Sequence, residues 1–203
     1  MATSFPGHAQ MYRIAIFSAF LLPVLLFSCR SAELAEESPP DPPLIVAAEH
    51  GQAEEVARLL SINPQADVRD ACAWTPLMKA ALNGRRVVLE RLLQAGADPE
   101  ALDKGGYTAL MLAASNDHVE VVDLLIRQGA NIDHQERTEG LSALIWASKR
   151  GHADTVRLLL TSGARTDLRD HEGRVARDWA NENGDEVIIS LLAAVATAQL
   201  QPR

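Results

Sequence analysis

Few residues in this chain have a type and spacing suited to covalent chemistry. Cys29 and Cys72 are its two cysteines, enough for one disulfide at most. Their contexts are so different that they are assigned separately: Cys29 closes an apolar run, and Cys72 lies in a turn. No His/Asn set accompanies Cys72, so a catalytic nucleophile is not expected there; oxidation or a mixed disulfide suits an oxidising compartment better. His50, His134 and His171 are isolated, and His118 and His152 stand 34 residues apart, so no pair has zinc-ligand spacing. Asp70, Asp103, Glu136 and Asp170 recur in phase at turn starts, where acidic side chains accept backbone N–H groups. Recurrence marks them as scaffold rather than as a catalytic or calcium site. Catalytic residues, a metal, a cofactor and a small-molecule substrate are therefore not expected. Non-covalent recognition remains. Trp74, Tyr107, Leu141 and Arg174 follow one another at steps of 33, 34 and 33 residues, and Trp, Tyr and Arg are the types enriched in interface hot spots.

Those steps belong to a longer pattern. Ala47, Ala80, Ala113, Ala147 and Ala180 share one phase, as do Leu59, Leu92, Leu125, Leu159 and Leu192. Gly51, Gly84, Asp117, Gly151 and Gly184 form a third series, and each series steps by 33, 33, 34 and 33. Apolar helical periodicity flanks each glycine slot. The best copies are TPLMKAALNG from Thr75, TALMLAASND from Thr108 and SALIWASKRG from Ser142. With a Gly-Ala closing the second helix, this pattern resembles the ankyrin repeat family over residues 41 to about 193. The expected fold is all-α, an ankyrin-repeat solenoid of about five helix-turn-helix repeats with projecting turns. The repeats are placed at approximately 41–70, 71–103, 104–136, 137–170 and 171–203, within a domain spanning 44–203. Departures cluster in the terminal copies, as caps require: Arg177 replaces a leucine, and Asn63-Pro64 replaces Gly-Ala and must end its helix. Leu59 and Leu60 are expected on the inward side of the first repeat's second helix. An extra residue falls within Gln135 to Gly140.

The resemblance implies that a partner protein is bound by the turn tips and the first helices, by a monomer. Its exposed variable slots before the helix-opening position map to Ala71, Cys72 and Trp74; Lys104, Gly105 and Tyr107; Thr138, Glu139 and Leu141; and His171, Glu172 and Arg174. Between the helices they map to Glu49-His50, Leu82-Asn83, Ser115-Asn116, Lys149-Arg150 and Glu182-Asn183. Partner-binding candidates are thus Trp74, Tyr107, Leu141, Arg174, Lys104, Glu139, Glu172, Lys149 and Arg150. For Trp74 and Tyr107 the alternative is that the ring covers a neighbouring turn. Trp146 and Trp179 share a slot that is leucine in the family, so core packing is expected of them.

Net charge is −8, which argues against nucleic acid, since phosphate binding needs a basic footprint. Residues 1–28 read as an export signal: Arg13 is followed by the apolar run Ile14 to Phe27. That run is short of the about 20 residues a membrane span needs. Met11 is an alternative start. Leu26-Phe27-Ser28-Cys29 resembles the bacterial lipobox, which implies cleavage before Cys29 and lipid attachment to it; an ordinary signal and a retained apolar anchor are the alternatives. Arg30 then favours the outer membrane. Residues 29–43 read as an acidic, proline-rich tether, and the chain beyond residue 29, tether included, carries 18 basic and 27 acidic residues. The expectation is a periplasmic, lipid-anchored, non-enzymatic binding module. Two roles fit: an accessory factor for a periplasmic enzyme or stress response, or an immunity protein against a toxin such as a lipase effector. A spacer without a specific partner and an enzyme built on Cys72 are the rival readings.

Overall fold

Three hydroxyls start three of the helices. Thr75 Oγ1, Thr108 Oγ1 and Ser142 Oγ accept from the N–H groups of Met78, Met111 and Ile145, each at 3.3 Å, which satisfies a donor left over at every helix N-terminus. Val175 holds the same place in the last repeat and has no hydroxyl; there Asp178 Oδ2 accepts the Val175 N–H at 2.9 Å. The computed structural model describes residues 40–199. Within them lie ten helices: α1 Pro43–Glu49, α2 Ala53–Ile62, α3 Pro76–Leu82, α4 Arg86–Gln94, α5 Ala109–Ala114, α6 Val119–Arg127, α7 Ala143–Arg150, α8 Ala153–Thr161, α9 Ala176–Asn183 and α10 Glu186–Gln199. They pair in sequence, and the pairs stack into two rows. One row is α1-α3-α5-α7-α9 and the other α2-α4-α6-α8-α10. The all-α solenoid expected from the repeat is what forms.

The alanine and leucine series explain the stacking. The five repeat alanines are buried, small enough for neighbouring first helices to approach closely, and Leu92, Leu125, Leu159 and Leu192 fill the space beneath. Burying each such leucine is worth roughly 1.5–3 kcal/mol. At the N-terminal end Leu59 and Leu60 are only half-buried; this corrects the inward placement of both, because no earlier repeat covers them. At the other end Ile188 is buried and the neighbouring Ile189 half-buried.

Left-handed backbone punctuates each repeat. Gly151 (φ 77°) and Gly184 (φ 66°) terminate α7 and α9. Asp117 takes the same conformation at φ 58°, tolerated because Asp is among the few side chains at ease there, and its Oδ1 accepts from Thr155 Oγ1 at 2.7 Å. Ala73 sits at φ 65° where the matching finger positions are Gly106, Gly140 and Gly173. A β-carbon there costs about 1–2 kcal/mol, partly offset by the unfolded-state freedom of glycine, so Ala73→Gly should stabilise the domain by about 0.5–1 kcal/mol. A urea midpoint at or below that of the parent would contradict this.

Candidate functional site

The turns ahead of the first helices are built around carboxylates. Asp70 Oδ1 accepts from the N–H groups of Cys72 and Trp74, both at 2.8 Å; Asp103 Oδ1 accepts from Tyr107 N–H at 2.8 Å; and Asp170 Oδ1 accepts from Glu172 and Arg174 at 3.0 and 2.8 Å. The fourth finger has one more residue, and Glu136 supplies one more methylene. Its carboxylate accepts from the N–H groups of Thr138 (2.5 Å), Glu139 (2.9 Å) and Leu141 (2.9 Å), and from the Thr138 hydroxyl. Adjacent fingers are joined by their backbones. Lys104, Arg137 and His171 N–H groups donate to the carbonyls of Cys72, Gly105 and Glu139 at 3.2, 2.9 and 2.8 Å.

Histidines and their equivalents tie each repeat to the one before. His118 and His152 Nε2 reach the Leu82 and Ser115 carbonyls at 3.0 and 3.1 Å, Arg85 Nε donates to the Glu49 carbonyl at 3.2 Å, and Asn183 Nδ2 donates to that of Lys149 at 2.9 Å. Their work is structural. Among the described residues no group of three or more His, Cys, Asp or Glu side chains could hold a metal ion.

The face made by the fingers and the first-helix row has a distinct composition. Lys79 Nζ lies 4.9 Å from the Trp74 ring centroid and 3.8 Å from Glu49 Oε1. Tyr107 packs against Trp146 in a tilted contact, with centroids 6.2 Å apart and planes at 47°, within the separation at which aromatic pairs attract. Lys149 Nζ is 5.2 Å from the Trp146 centroid and 4.2 Å from that of Trp179, and it pairs with Glu139 at 2.7 Å. Arg174 lies over Trp179 at 3.7 Å and bonds to Asp170 at 3.1 Å and Glu172 at 3.0 Å, with Glu182 at 4.0 Å. Such cation–π contacts are worth about 0.5–2 kcal/mol each, more as they lose water.

The sequence candidates therefore divide. Trp74, Tyr107, Lys149 and Arg174 are half-buried on this face, and Lys104, Glu139, Arg150 and Glu172 are exposed. Leu141 is not a surface residue: it is fully buried, its N–H bonded to Glu136. It shares a slot with Trp74, Tyr107 and Arg174, but the longer fourth finger turns an aliphatic side chain inward, where its area leaves water. Trp146 is buried, as core packing requires, whereas Trp179 is half-exposed between two cations. That corrects its assignment to the core, because α9 belongs to the last repeat and no further first helix packs over it. Sequence reasoning missed Lys79, although it shares a slot with Trp146 and Trp179; a comparison of charge slot by slot would have found it. Cys72 is disulfide-bonded, so the separate thiol assigned from sequence is corrected too. Cys29 lies outside the described residues.

Burial pushes the Asp170 carboxyl up, but the Arg174 N–H and guanidinium and the Trp179 indole, which donates to Oδ2 at 3.0 Å, outweigh it and hold the group below its ordinary value. Asp103 goes the other way, raised because burial outweighs the turn N–H bonds. Tyr107 is raised as well, first by burial, against the hydrogen bond with Thr138.

A family model for ankyrin repeats (three copies) matches residues 44–136 and 124–201. No curated protein matches the chain. The family match, the five stacked helix pairs and the backbone-bonded fingers agree, and the chain belongs to the ankyrin repeat family.

Proposed function

We propose that the protein is a non-enzymatic binding module of the bacterial cell envelope, which grips a partner protein with its fingers and first-helix row and serves as an accessory factor for a periplasmic enzyme or stress response. One observation carries the binding part. Four aromatic residues follow Cys29 in the chain, Trp74, Tyr107, Trp146 and Trp179, and the chain has three lysines, Lys79, Lys104 and Lys149. All seven belong to the fingers or first helices. The second-helix row holds none, and its core is made of aliphatic side chains. A stacking core needs no such segregation, whereas interfaces concentrate aromatic residues, and Lys79 and Lys149 beside them give the face cation–π contacts.

Affinity capture from the native envelope, with mass spectrometry, tests the binding part. Trp74→Ala and Trp179→Ala should each weaken capture by roughly 30-fold, the size of a hot-spot loss of about 2 kcal/mol, with far-UV circular dichroism unchanged. Equal recovery by both variants would show that the face is not used.

Export and anchoring rest on the Arg13–Phe27 run and on Leu26-Phe27-Ser28-Cys29, outside the described residues. Among the described residues no helix is long and apolar enough to cross a membrane; the anchor proposed is the acyl chains on Cys29, worth about 0.8 kcal/mol per buried CH₂. The chain has two cysteines and Cys72 is disulfide-bonded; that bond supports simple export, the lipobox supports the anchor, and one sulfur cannot serve both. Cys29→Ser should move the protein from the membrane to the soluble periplasmic fraction, and the mass of the mature N-terminal peptide should include diacylglycerol. A soluble parent protein with an unmodified Cys29 would refute the anchor and leave simple export.

A further inference from the structure

The pairing of charges on the first-helix face points to the chemistry of what it binds. Its carboxylates are taken: Glu49 by Lys79 at 3.8 Å, Glu139 by Lys149 at 2.7 Å, and Glu172 and Glu182 by Arg174 at 3.0 and 4.0 Å. Those of Asp70, Asp103, Glu136 and Asp170 are occupied by turn N–H groups. The charges left without a carboxylate within ion-pair distance on this face, among the described residues, are cations: Lys104 and Arg137 on adjacent fingers, Arg150 at the end of α7 and Arg177 in α9. Arg150 lies 5.7 Å from the Trp146 ring centroid. Beneath it the Trp146 indole N–H and the Ser148 hydroxyl are buried in α7 without a hydrogen-bond partner. The uncommitted charges on this face are all donors. Unpaired carboxylates such as Glu120 and Glu186 lie instead on the second-helix row, in α6 and α10.

We propose that this face takes an acidic, extended segment of a partner protein. Its carboxylates would be held by Arg150 and by Lys104 and Arg137 on the fingers, and its apolar side chains would lie along Tyr107 and Trp179. The proposal rests on the protein-binding reading above and adds the sign of the partner's charge. Packed helices sit about 8–10 Å apart and an extended chain advances about 3.3 Å per residue, so acidic residues about three apart would meet successive repeats. Against a chain of net charge −8 this pairing is local: long-range repulsion slows encounter, and contact charges set register and selectivity.

A random peptide display library panned against the immobilised protein at low ionic strength tests it. Recovered sequences should be enriched in Asp and Glu about three apart. Titration of one recovered peptide, followed by quenching of the tryptophans, should show affinity about tenfold lower for Arg150→Glu, lower again when Lys104→Glu is added, and unchanged for Arg58→Glu on α2. Circular dichroism confirms that each variant is folded. Recovery of sequences rich in Lys and Arg, no enrichment, or indifference to Arg150→Glu would each overturn the proposal. Basic peptides whose retention is lost in Trp179→Ala would overturn only the charge assignment and leave the binding face standing. Retention indifferent to both Trp74→Ala and Trp179→Ala would remove the face itself.

Discussion

Replacing Glu136 with alanine should destabilise the domain by about 3–5 kcal/mol, a large part of a typical folding free energy. The carboxylate is buried and has no cation beside it among the described ion pairs; it is held by the N–H groups of Thr138, Glu139 and Leu141 and by the Thr138 hydroxyl. Truncation leaves those donors facing a void, and each buried unsatisfied donor costs about 1–3 kcal/mol. Glu136→Asp keeps the charge but shortens the reach in a finger that is one residue longer than its neighbours, and about half the loss is expected. The decisive variant combines Glu136→Asp with deletion of Thr138, which restores the spacing of the Asp170 finger. Its urea midpoint should recover most of the way to the parent. If the double change is no better than Glu136→Asp alone, the length of the side chain and the length of the finger are not coupled as the hydrogen bonds indicate.

Asp170→Asn should cost about 2–4 kcal/mol and should alter how stability depends on pH. Asp170 is buried and joins four donors: the N–H groups of Glu172 and Arg174, the Arg174 guanidinium and the Trp179 indole. An asparagine oxygen can serve the backbone groups, but the amide has no charge and must turn an NH₂ toward other donors, so the charge-assisted bonds are lost. The folded-state pKa of Asp170 lies below its ordinary value. Its stabilisation is therefore fully present above the unfolded-state pKa of about 3.9 and disappears as pH falls through the lower folded-state value. The stability gap between parent and Asp170→Asn should be constant near neutrality and shrink below pH of about 4. A gap independent of pH down to acid unfolding would mean that the carboxylate is not ionised in the fold. Because Arg174 and Trp179 lose their common anchor, the same variant should also weaken partner capture.

Much of this was legible from residue types in phase. The three Ala, Gly and Leu series set the helix pairs, because a helix can bury one face only where small and aliphatic residues return at the same register. The turn carboxylates were legible for the same reason: a residue that recurs at each turn start is serving the backbone. The slot argument failed at Leu141 and Trp179. Equal register does not give equal exposure when a finger gains a residue or when a repeat has no neighbour beyond it. It also passed over Lys79, because a lysine in one copy and tryptophans in two others look unrelated until the rings and ammonium groups are seen to stack.

By itself the sequence determined the repeat, its period, the all-α stack and the poverty of the domain in aromatics, since each follows from local periodicity and composition. Only the tertiary structure decided which charges on the first-helix face are already spent. Glu139 is committed to Lys149 from ten positions away, and Arg174 is gripped by Asp170 and Glu172 while lying on Trp179, whereas Arg150 keeps its charge unmatched among the described residues. Coulomb and hydrogen-bond energies change steeply over an ångström, a scale that spacing in a sequence does not resolve.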